Sequence, residues 1–214
     1  MPISCLVMKT RDKILAVSLA LYNRRGVASV SNGHVAEEME ISPGNLHYHF
    51  KNKEQLLVPL LAGFESQLAA LLNAGRGQVA SLEDLWFILH MVFELQEKYC
   101  FVLRDQEHLL GHFPSLVKPL QRVSQALQQA VKGLCANLQR RGVIHASETE
   151  LRALSTNVLL VYTQWLSFQR SYNISTEQNL IALGAYQVLV LFRGYLPPQE
   201  RLFLDELGQS YLCE

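Results

Sequence analysis

The most informative stretch of this chain is SPGNLHYHFKNKEQLL, which runs from Ser42 to Leu57. Its Pro-Gly pair, which usually marks a turn, is followed at once by two histidines, a tyrosine and a phenylalanine. Leu46 and Phe50 are four residues apart, so a short helix that begins at Pro43 would bury both on one side. The other side would expose imidazoles and a phenol, which predicts a helix whose outer face meets a partner.

The same helical spacing of apolar residues continues along most of the 214 residues, and no convincing run alternates apolar and polar residues as a strand would. We therefore predict an all-α fold of about nine or ten helices, one of them over residues 101–111. Polar residues typical of helix starts and glycines typical of helix ends predict the other boundaries. Starts are expected at Thr10, Ser31 or Asn32, Asn52, Ser81, Ser147 and Ser175, and ends at Gly26, Gly111 and Gly142.

The charges are divided unevenly although the net charge is zero. Residues 1–53 carry seven Lys and Arg against four Asp and Glu, and the remainder carries twelve against fifteen. A polyanion would therefore be met by the first quarter of the chain. We predict a helix-turn-helix domain over residues 9–53 and a larger helical domain over 54–214, with 54–74 as the connecting helix.

Composition favours a cytoplasmic globular protein. Half of the residues are apolar (49%), which is enough for a sizeable core, and we expect no apolar run to reach transmembrane length. The four cysteines are far apart and form no C-x-x-C pair, so a reducing compartment is expected. Residues 1–7 are expected to form an irregular tail or to reflect a start site upstream of Met8.

A helix, a tight turn and a second short helix form a helix-turn-helix unit, whose second helix enters the DNA major groove. Gly44 would let the start of that helix approach the duplex closely, and Asn45 offers a donor and an acceptor to a base edge. His47, Tyr48 and His49 would reach phosphates or base edges from the outer face.

Two lysines follow this helix at the start of the next one. Lys51 and Lys53 flank a helix N-terminus, where free backbone N–H groups already favour a phosphate. The alternative for these polar groups is an ordinary solvated helix face. The agreement of caps, local charge and motif spacing favours DNA binding.

The segment VSNGHVAEEMEISPGNLHYHFKNKEQLL, residues 30–57, resembles the DNA-binding signature of TetR-type bacterial transcription regulators, which are homodimers with a larger ligand-binding domain. The resemblance implies phosphate contacts from Ser31, Tyr48, His49 and Lys53. It implies that the recognition surface consists of Pro43, Gly44, Asn45 and His47. Two positions depart from the family pattern, because many members have Tyr at His47 and Gly at Glu40. The candidate DNA-binding residues are Ser31, Ser42, Pro43, Gly44, Asn45, His47, Tyr48, His49, Lys51 and Lys53.

A looser resemblance joins LYNRRGVASVS (21–31) and YCFVLRDQEHLL (99–110) to a subgroup that includes regulators of polyhydroxyalkanoate gene clusters. It implies an apolar or acyl-type effector. In the larger domain, polar and aromatic residues cluster between Trp86 and His112 and again on a later helix, as in a small-molecule pocket. An ordinary core with half-exposed polar groups is the alternative. The candidate ligand-binding residues are Trp86, His90, Phe93, Glu94, Phe101, Arg104, Asp105, His108, Tyr162, Trp165, Phe168 and Gln169.

Two residue pairs have the i, i+4 spacing of helical metal ligands: His90 with Glu94, and His108 with His112. There is no H-E-x-x-H motif, activated nucleophile or phosphate loop, so we expect neither a metal, a cofactor nor an enzyme. A metal-assisted hydrolase remains the distant alternative.

The last two long helices, about residues 148–195, carry apolar residues on faces wider than one core requires, which predicts a homodimer interface. The functional hypothesis is therefore a repressor that a small apolar or acyl-type effector releases from operator DNA. A DNA-binding regulator without an effector pocket is the alternative.

Overall fold

The computed structural model describes residues 9–75, 77, 79–172 and 180–212, with side chains as far as residue 209. Within these ranges the chain forms eleven α-helices and no strand, with a 3₁₀ helix at Arg193–Tyr195. The helices are α1 Thr10–Arg25, α2 Asn32–Glu38, α3 Pro43–His49, α4 Lys53–Gly75, α5 Leu82–Lys98, α6 Cys100–Arg104, α7 Gln106–His112, α8 Pro114–Arg140, α9 Glu148–Ser171, α10 Leu180–Phe192 and α11 Pro198–Leu212.

The first three helices form a compact unit, called the head below. Ile14, Leu21 and Tyr22 of α1 are buried against α2 and against the start of α4. Gly26 ends α1 with φ 84°, in the left-handed region that glycine adopts without strain. Leu46 and Phe50 are buried as the sequence predicted, so α3 is fixed by one side only.

The larger unit packs α4 between α5 and α8, with α9 and α10 beyond them. By length and composition α4 could cross a membrane, which corrects the expectation that no apolar run reaches transmembrane length. Within the described residues, 33% of its apolar window is buried, and Leu57, Leu61 and Phe64 lie in the core.

Most predicted boundaries are confirmed. Ser31, Ser81 and Ser147 cap α2, α5 and α9, each accepting a backbone hydrogen bond from three residues on. Asn52 Oδ1 likewise accepts from the Gln55 N–H at 2.9 Å. Gly142, with φ 74°, lies just beyond the end of α8.

Three expectations fail or fall outside the described residues. Thr10 is the first residue of α1 and does not cap it, because the flanking position is Lys9 and makes no side-chain cap. The helix expected over 101–111 is two helices that break at Asp105, whose carboxylate bonds to the head. The tail over 1–7 and the cap at Ser175 lie outside the described residues.

Candidate DNA-binding surface and effector cavity

The turn between α2 and α3 is fixed by backbone hydrogen bonds. The N–H of Ile41 donates to the Ala36 carbonyl at 3.0 Å, and the N–H of Glu40 donates to Glu37 at 3.0 Å. This double pattern is the Schellman end of a helix, in which the residue at the position of Glu40 is usually glycine. Glu40 has φ 54°, so a residue with a Cβ holds a left-handed conformation here.

The two candidate serines act first as helix caps. The Ser31 hydroxyl accepts from the His34 N–H at 3.2 Å, and His34 Nδ1 accepts from the Ser31 N–H in return. The Ser42 hydroxyl accepts from the Asn45 N–H at 3.2 Å. Each hydroxyl keeps its own proton to donate, so a phosphate contact remains compatible with capping.

The outer face of α3 is open to solvent. Asn45, His47 and Tyr48 are exposed, and Tyr48 is 83% exposed. His49 is half-buried, and its ring meets the Tyr48 ring edge-on at 5.2 Å. The candidate recognition residues therefore share one accessible surface.

Pro43 and Gly44 form the first turn of α3, and both are exposed. A Cβ added to Gly44 would meet only the Ser42 Oγ, at 3.9 Å, which is an ordinary contact. Within the described residues, nothing in the chain itself therefore excludes a side chain at Gly44. The close approach of a binding partner to this turn would explain why the residue is glycine.

The two candidate lysines differ in their surroundings. Lys51 is exposed, whereas Lys53 is half-buried and its Nζ donates to the Val27 carbonyl at 2.7 Å. Burial lowers the pKa of Lys53. Lys53 therefore holds the segment after α1, and it keeps two further N–H donors.

A cavity of about 420 Å³ lies in the larger domain between α4, α5 and α8. Its walls are mostly apolar, with Leu72, Leu89 and Leu134 on three different helices. A cavity of this size and chemistry fits a small, mainly apolar molecule. Tyr162 is the one candidate ligand residue that lines it, and its hydroxyl donates to the Val92 carbonyl at 3.3 Å.

The polar side of the cavity is centred on Asn137. Its Nδ2 donates to the Val79 carbonyl at 2.7 Å, and its Oδ1 accepts from Arg140 at 2.8 Å. Arg141 also donates to Oδ1, at 3.4 Å. Burial raises the pKa of Tyr162, so this residue lines the cavity in its neutral form. Arg140 supplies the one formal charge among the described lining residues.

The other candidate ligand residues are not brought together around this cavity. Phe93 and Trp165 pack in the core against α10, where a Cβ at Gly184 would come within 2.7 Å of both rings. The Trp86 and His90 rings lie 4.1 Å apart, and Glu94 is exposed.

The remaining candidates lie at two other places. Phe168 is 45% exposed, whereas Gln169 is buried and its amide has no hydrogen-bond partner among the described residues. Phe101 packs against the Tyr22 ring at 5.8 Å, so it belongs to the contact between the larger domain and α1. Arg104 bonds to carbonyls at the end of α1 and Asp105 bonds to the Val27 N–H just after it, so both lie away from the cavity.

The histidine pairs form no metal cluster. The rings of His108 and His112 are stacked at 4.2 Å, and His112 Nδ1 lies 3.0 Å from the His108 carbonyl oxygen. Burial, with His112 and Lys53 nearby, lowers the pKa of His108. Among the described residues, no three His, Cys, Asp or Glu side chains could hold one ion.

Sequence reasoning missed most of the cavity wall because it weighted aromatic and charged residues. The wall comes instead from aliphatic and small residues, such as Ala126, Ala130 and Gly133 along one side of α8. Small residues at spacings of three and four on an amphipathic helix were the available signal.

A head with an exposed α3, joined to a larger helical domain that holds an apolar cavity, defines a helix-turn-helix regulator. The family model described as "Bacterial regulatory proteins, tetR family" matches residues 14–60, and that described as "Bacterial transcriptional repressor" matches residues 63–203. The chain belongs to the TetR family of bacterial transcriptional regulators. This confirms the family resemblance and the expectation of a regulator rather than an enzyme.

Relatives of known structure agree. A TetR-family transcriptional regulator from Marinobacter aquaeolei VT8 is 36% identical, with a TM-score of 0.84 over 95% of this chain and 99% of that chain. The ketosteroid transcriptional regulator KstR2 of Mycobacterium tuberculosis, at 19% identity, shares the fold with a TM-score of 0.66 over 92% of this chain and 100% of that one.

Among curated relatives, the transcriptional regulator QacR of Staphylococcus aureus is 40% identical over 60 residues, 28% of this chain. The match spans about a third of the QacR sequence (32%). The regulator AcrR of Shigella flexneri is 35% identical over 63 residues, 29% of each chain. These matches support the family, and neither relative is described as a regulator of polyhydroxyalkanoate genes.

Proposed function

We propose that this chain is a homodimeric repressor that binds operator DNA through α3 and is released by a small, mainly apolar effector. The observation that carries the DNA part is the accessible outer face of α3, with Asn45, His47 and Tyr48 on one surface. Their donors and acceptors suit base edges and phosphates. The bacterial cytoplasm, where the operator lies, is the corresponding location.

The candidate DNA-binding residues divide into two roles. Gly44, Asn45 and His47 meet the major groove, since they lie on the exposed first turns of α3. Tyr48 and Lys51 meet phosphates at the edge of this surface. The set is completed by Ser31, Ser42, Pro43, His49 and Lys53. Three of these side chains also bond to backbone groups of the head, namely Ser31, Ser42 and Lys53.

The effector occupies the cavity of about 420 Å³. Its apolar walls favour an aliphatic or ring-containing molecule, and Arg140 at one side suits a carboxylate or another acceptor group. This supports the effector-responsive regulator over the alternative without a pocket. No observation favours a metal-assisted hydrolase.

The dimer forms through α9 and α10. On α9, Leu160, Phe168 and Tyr172 are 56%, 45% and 71% exposed, at spacings of one and two helical turns. Val190 on α10 is 36% exposed. Exposed apolar residues that follow one stripe are typical of a subunit interface, and a dimer presents two α3 helices to successive major grooves.

The experiment is a selection of bound DNA from random duplexes with the full chain, followed by titration of the selected duplex at several salt concentrations. Replacing Tyr48 and His49 together with Ala should weaken binding at all salts, and each lost phosphate contact should lower the salt slope by about 0.9. The control is Phe87→Ala, since Phe87 is 58% exposed but lies on α5. Undiminished binding by the double variant would contradict the proposal.

A further inference from the structure

The end of α1 is held by an unusually complete set of bonds from α6. Arg104 Nη1 donates to the Asn23 carbonyl at 2.6 Å, and Nη2 donates to the Tyr22 carbonyl at 2.6 Å. The Tyr22 carbonyl also accepts from the Gly26 N–H at 2.9 Å, whereas the Asn23 carbonyl is among the last carbonyls of the helix, which have no partner within it. A cation is favoured beside these carbonyls. One guanidinium therefore caps the C-terminus of α1 from the other domain.

Asp105 bonds to the residue that follows the turn. Its carboxylate receives two bonds from Arg104, at 2.8 and 2.7 Å, and a third from the Val27 N–H at 2.8 Å. Burial alone would raise the pKa of Asp105, but the bonds from Arg104 and Val27 hold it below the usual range. The ionised pair thus spans the turn at Gly26, with one partner on each side of it.

The side chain of Asn23, in α1, bonds in turn to backbone groups of the larger domain. Its Nδ2 donates to the Lys98 carbonyl at 2.8 Å, and its Oδ1 accepts from the Phe101 N–H at 3.2 Å. Backbone groups on both sides are fixed by side chains of the other domain. Such bonds are directional, so they constrain the angle of α1 as well as its distance from the larger domain.

Two helices connect this junction to the cavity. The wall of the cavity contains Leu72 near the end of α4 and Leu89 in the middle of α5. The opposite end of α4 carries Lys53, which bonds to Val27, and α5 ends at Lys98, whose carbonyl bonds to Asn23. A shift of either helix at the cavity would therefore reach the same few residues after α1.

We propose that Arg104 and Asp105 are positioning residues that fix the angle of the DNA-binding head on the larger domain. They thereby set the half-site spacing that the dimer accepts. The inference rests on the proposed function. In a dimer joined through the larger domains, the angle of each head sets the separation of the two α3 helices, and this separation must match the turns of the duplex.

The test uses the full-length chain and duplexes that carry two copies of its selected half-site, separated by spacers of different length. The wild type should prefer one spacer by about tenfold, a ratio within the usual range of coupling between sites. Arg104→Gln and Asp105→Asn should reduce the preference to about threefold or less, with little loss at the other spacers.

Two further variants separate angle from stability. Arg24→Gln breaks a 3.3 Å ion pair with Glu38 that lies wholly within the head, and it should retain the spacer preference. Arg104→Lys keeps the charge but lacks the planar fork that bonds both carbonyls and pairs with two oxygens of the carboxylate, so it should also relax the preference. Arg104→Lys replaces Arg104→Gln in the test if the Gln variant does not fold.

A folded Arg104 or Asp105 variant that keeps the full spacer preference would overturn the inference, because the pair would then contribute to stability alone. A wild type that binds no duplex would overturn the proposed function, and the inference with it. The two failures are distinguishable, because binding by the wild type is measured before any variant.

Discussion

Lys53 Nζ lies 2.7 Å from the Val27 carbonyl oxygen, so the first residue of α4 holds the segment that follows α1. Lys51, two residues earlier, is exposed and has its side chain free for a polyanion. The two lysines of one short motif therefore have different surroundings. Charge alone does not distinguish them.

This difference predicts different effects of two matched substitutions. Lys51→Ala should lower operator affinity and reduce the salt slope by about 0.9, without changing the free energy of unfolding. Lys53→Ala should lower both the affinity and the free energy of unfolding, because the bond to Val27 is lost. Chemical denaturation and salt-dependent titration measure the two quantities. Equal stability of both variants would contradict the assigned role of Lys53.

Gly44→Ala should separate stability from DNA binding. A Cβ there meets only the Ser42 Oγ at 3.9 Å, so the free energy of unfolding should be unchanged or rise by up to about 1 kcal/mol. Operator affinity should fall, because the methyl group would lie between α3 and the duplex. Full operator affinity in the Ala variant would show that the DNA does not approach this turn closely.

Glu40→Gly should stabilise the head. Glu40 holds φ 54° in the turn before α3, a conformation that costs a residue with a Cβ about 1 kcal/mol relative to glycine. We expect the free energy of unfolding to rise by about that amount, measured by denaturant titration. The control is Glu37→Gly, in the helical part of α2, which should lower it by about 1 kcal/mol. If the free energy of unfolding fell in both variants, the conclusion that Glu40 is strained would be wrong.

Local rules were sufficient for the head. Ser31, Pro43, Leu46 and Phe50 have roles that depend on neighbours within four residues, so capping and spacing predict them. The family pattern also has glycine where this chain has Glu40, the position at which the structure shows φ 54°.

Roles that depend on distant contacts were not predictable in this way. Arg104 and Asp105 suggested a polar anchor in a pocket, but they bond to carbonyl and N–H groups some 80 residues earlier, at 2.6 to 2.8 Å. The cavity wall combines mostly aliphatic and small residues from four helices, and no short segment carries that pattern. Long-range packing decides both.

Filling the cavity should block a ligand without affecting DNA binding. Ala130 lines the cavity on α8, so Ala130→Phe would place a ring inside it. We expect the affinity for the fluorescent probe anilinonaphthalene sulfonate to fall by about tenfold, as when a pocket loses its space. Ala136→Phe, at an exposed position of the same helix, is the control for added apolar surface. Equal probe binding by both variants would place the probe elsewhere.

The predicted dimer interface can be tested with two exposed phenylalanines. Phe168 on α9 contacts Tyr172 with ring centroids 4.5 Å apart and is 45% exposed, whereas Phe87 on α5 is 58% exposed. If the face formed by α9 and α10 joins two chains, Phe168→Glu would bury a charge at the interface, which is costly without a partner. Sedimentation should then show a monomer at micromolar concentration, and operator affinity should fall because both half-sites are no longer bound together.

Phe87→Glu introduces the same charge at a more exposed position, so it should leave the dimer and its operator affinity unchanged. Dissociation by Phe87→Glu instead would move the interface to α5 and require a different placement of the two heads.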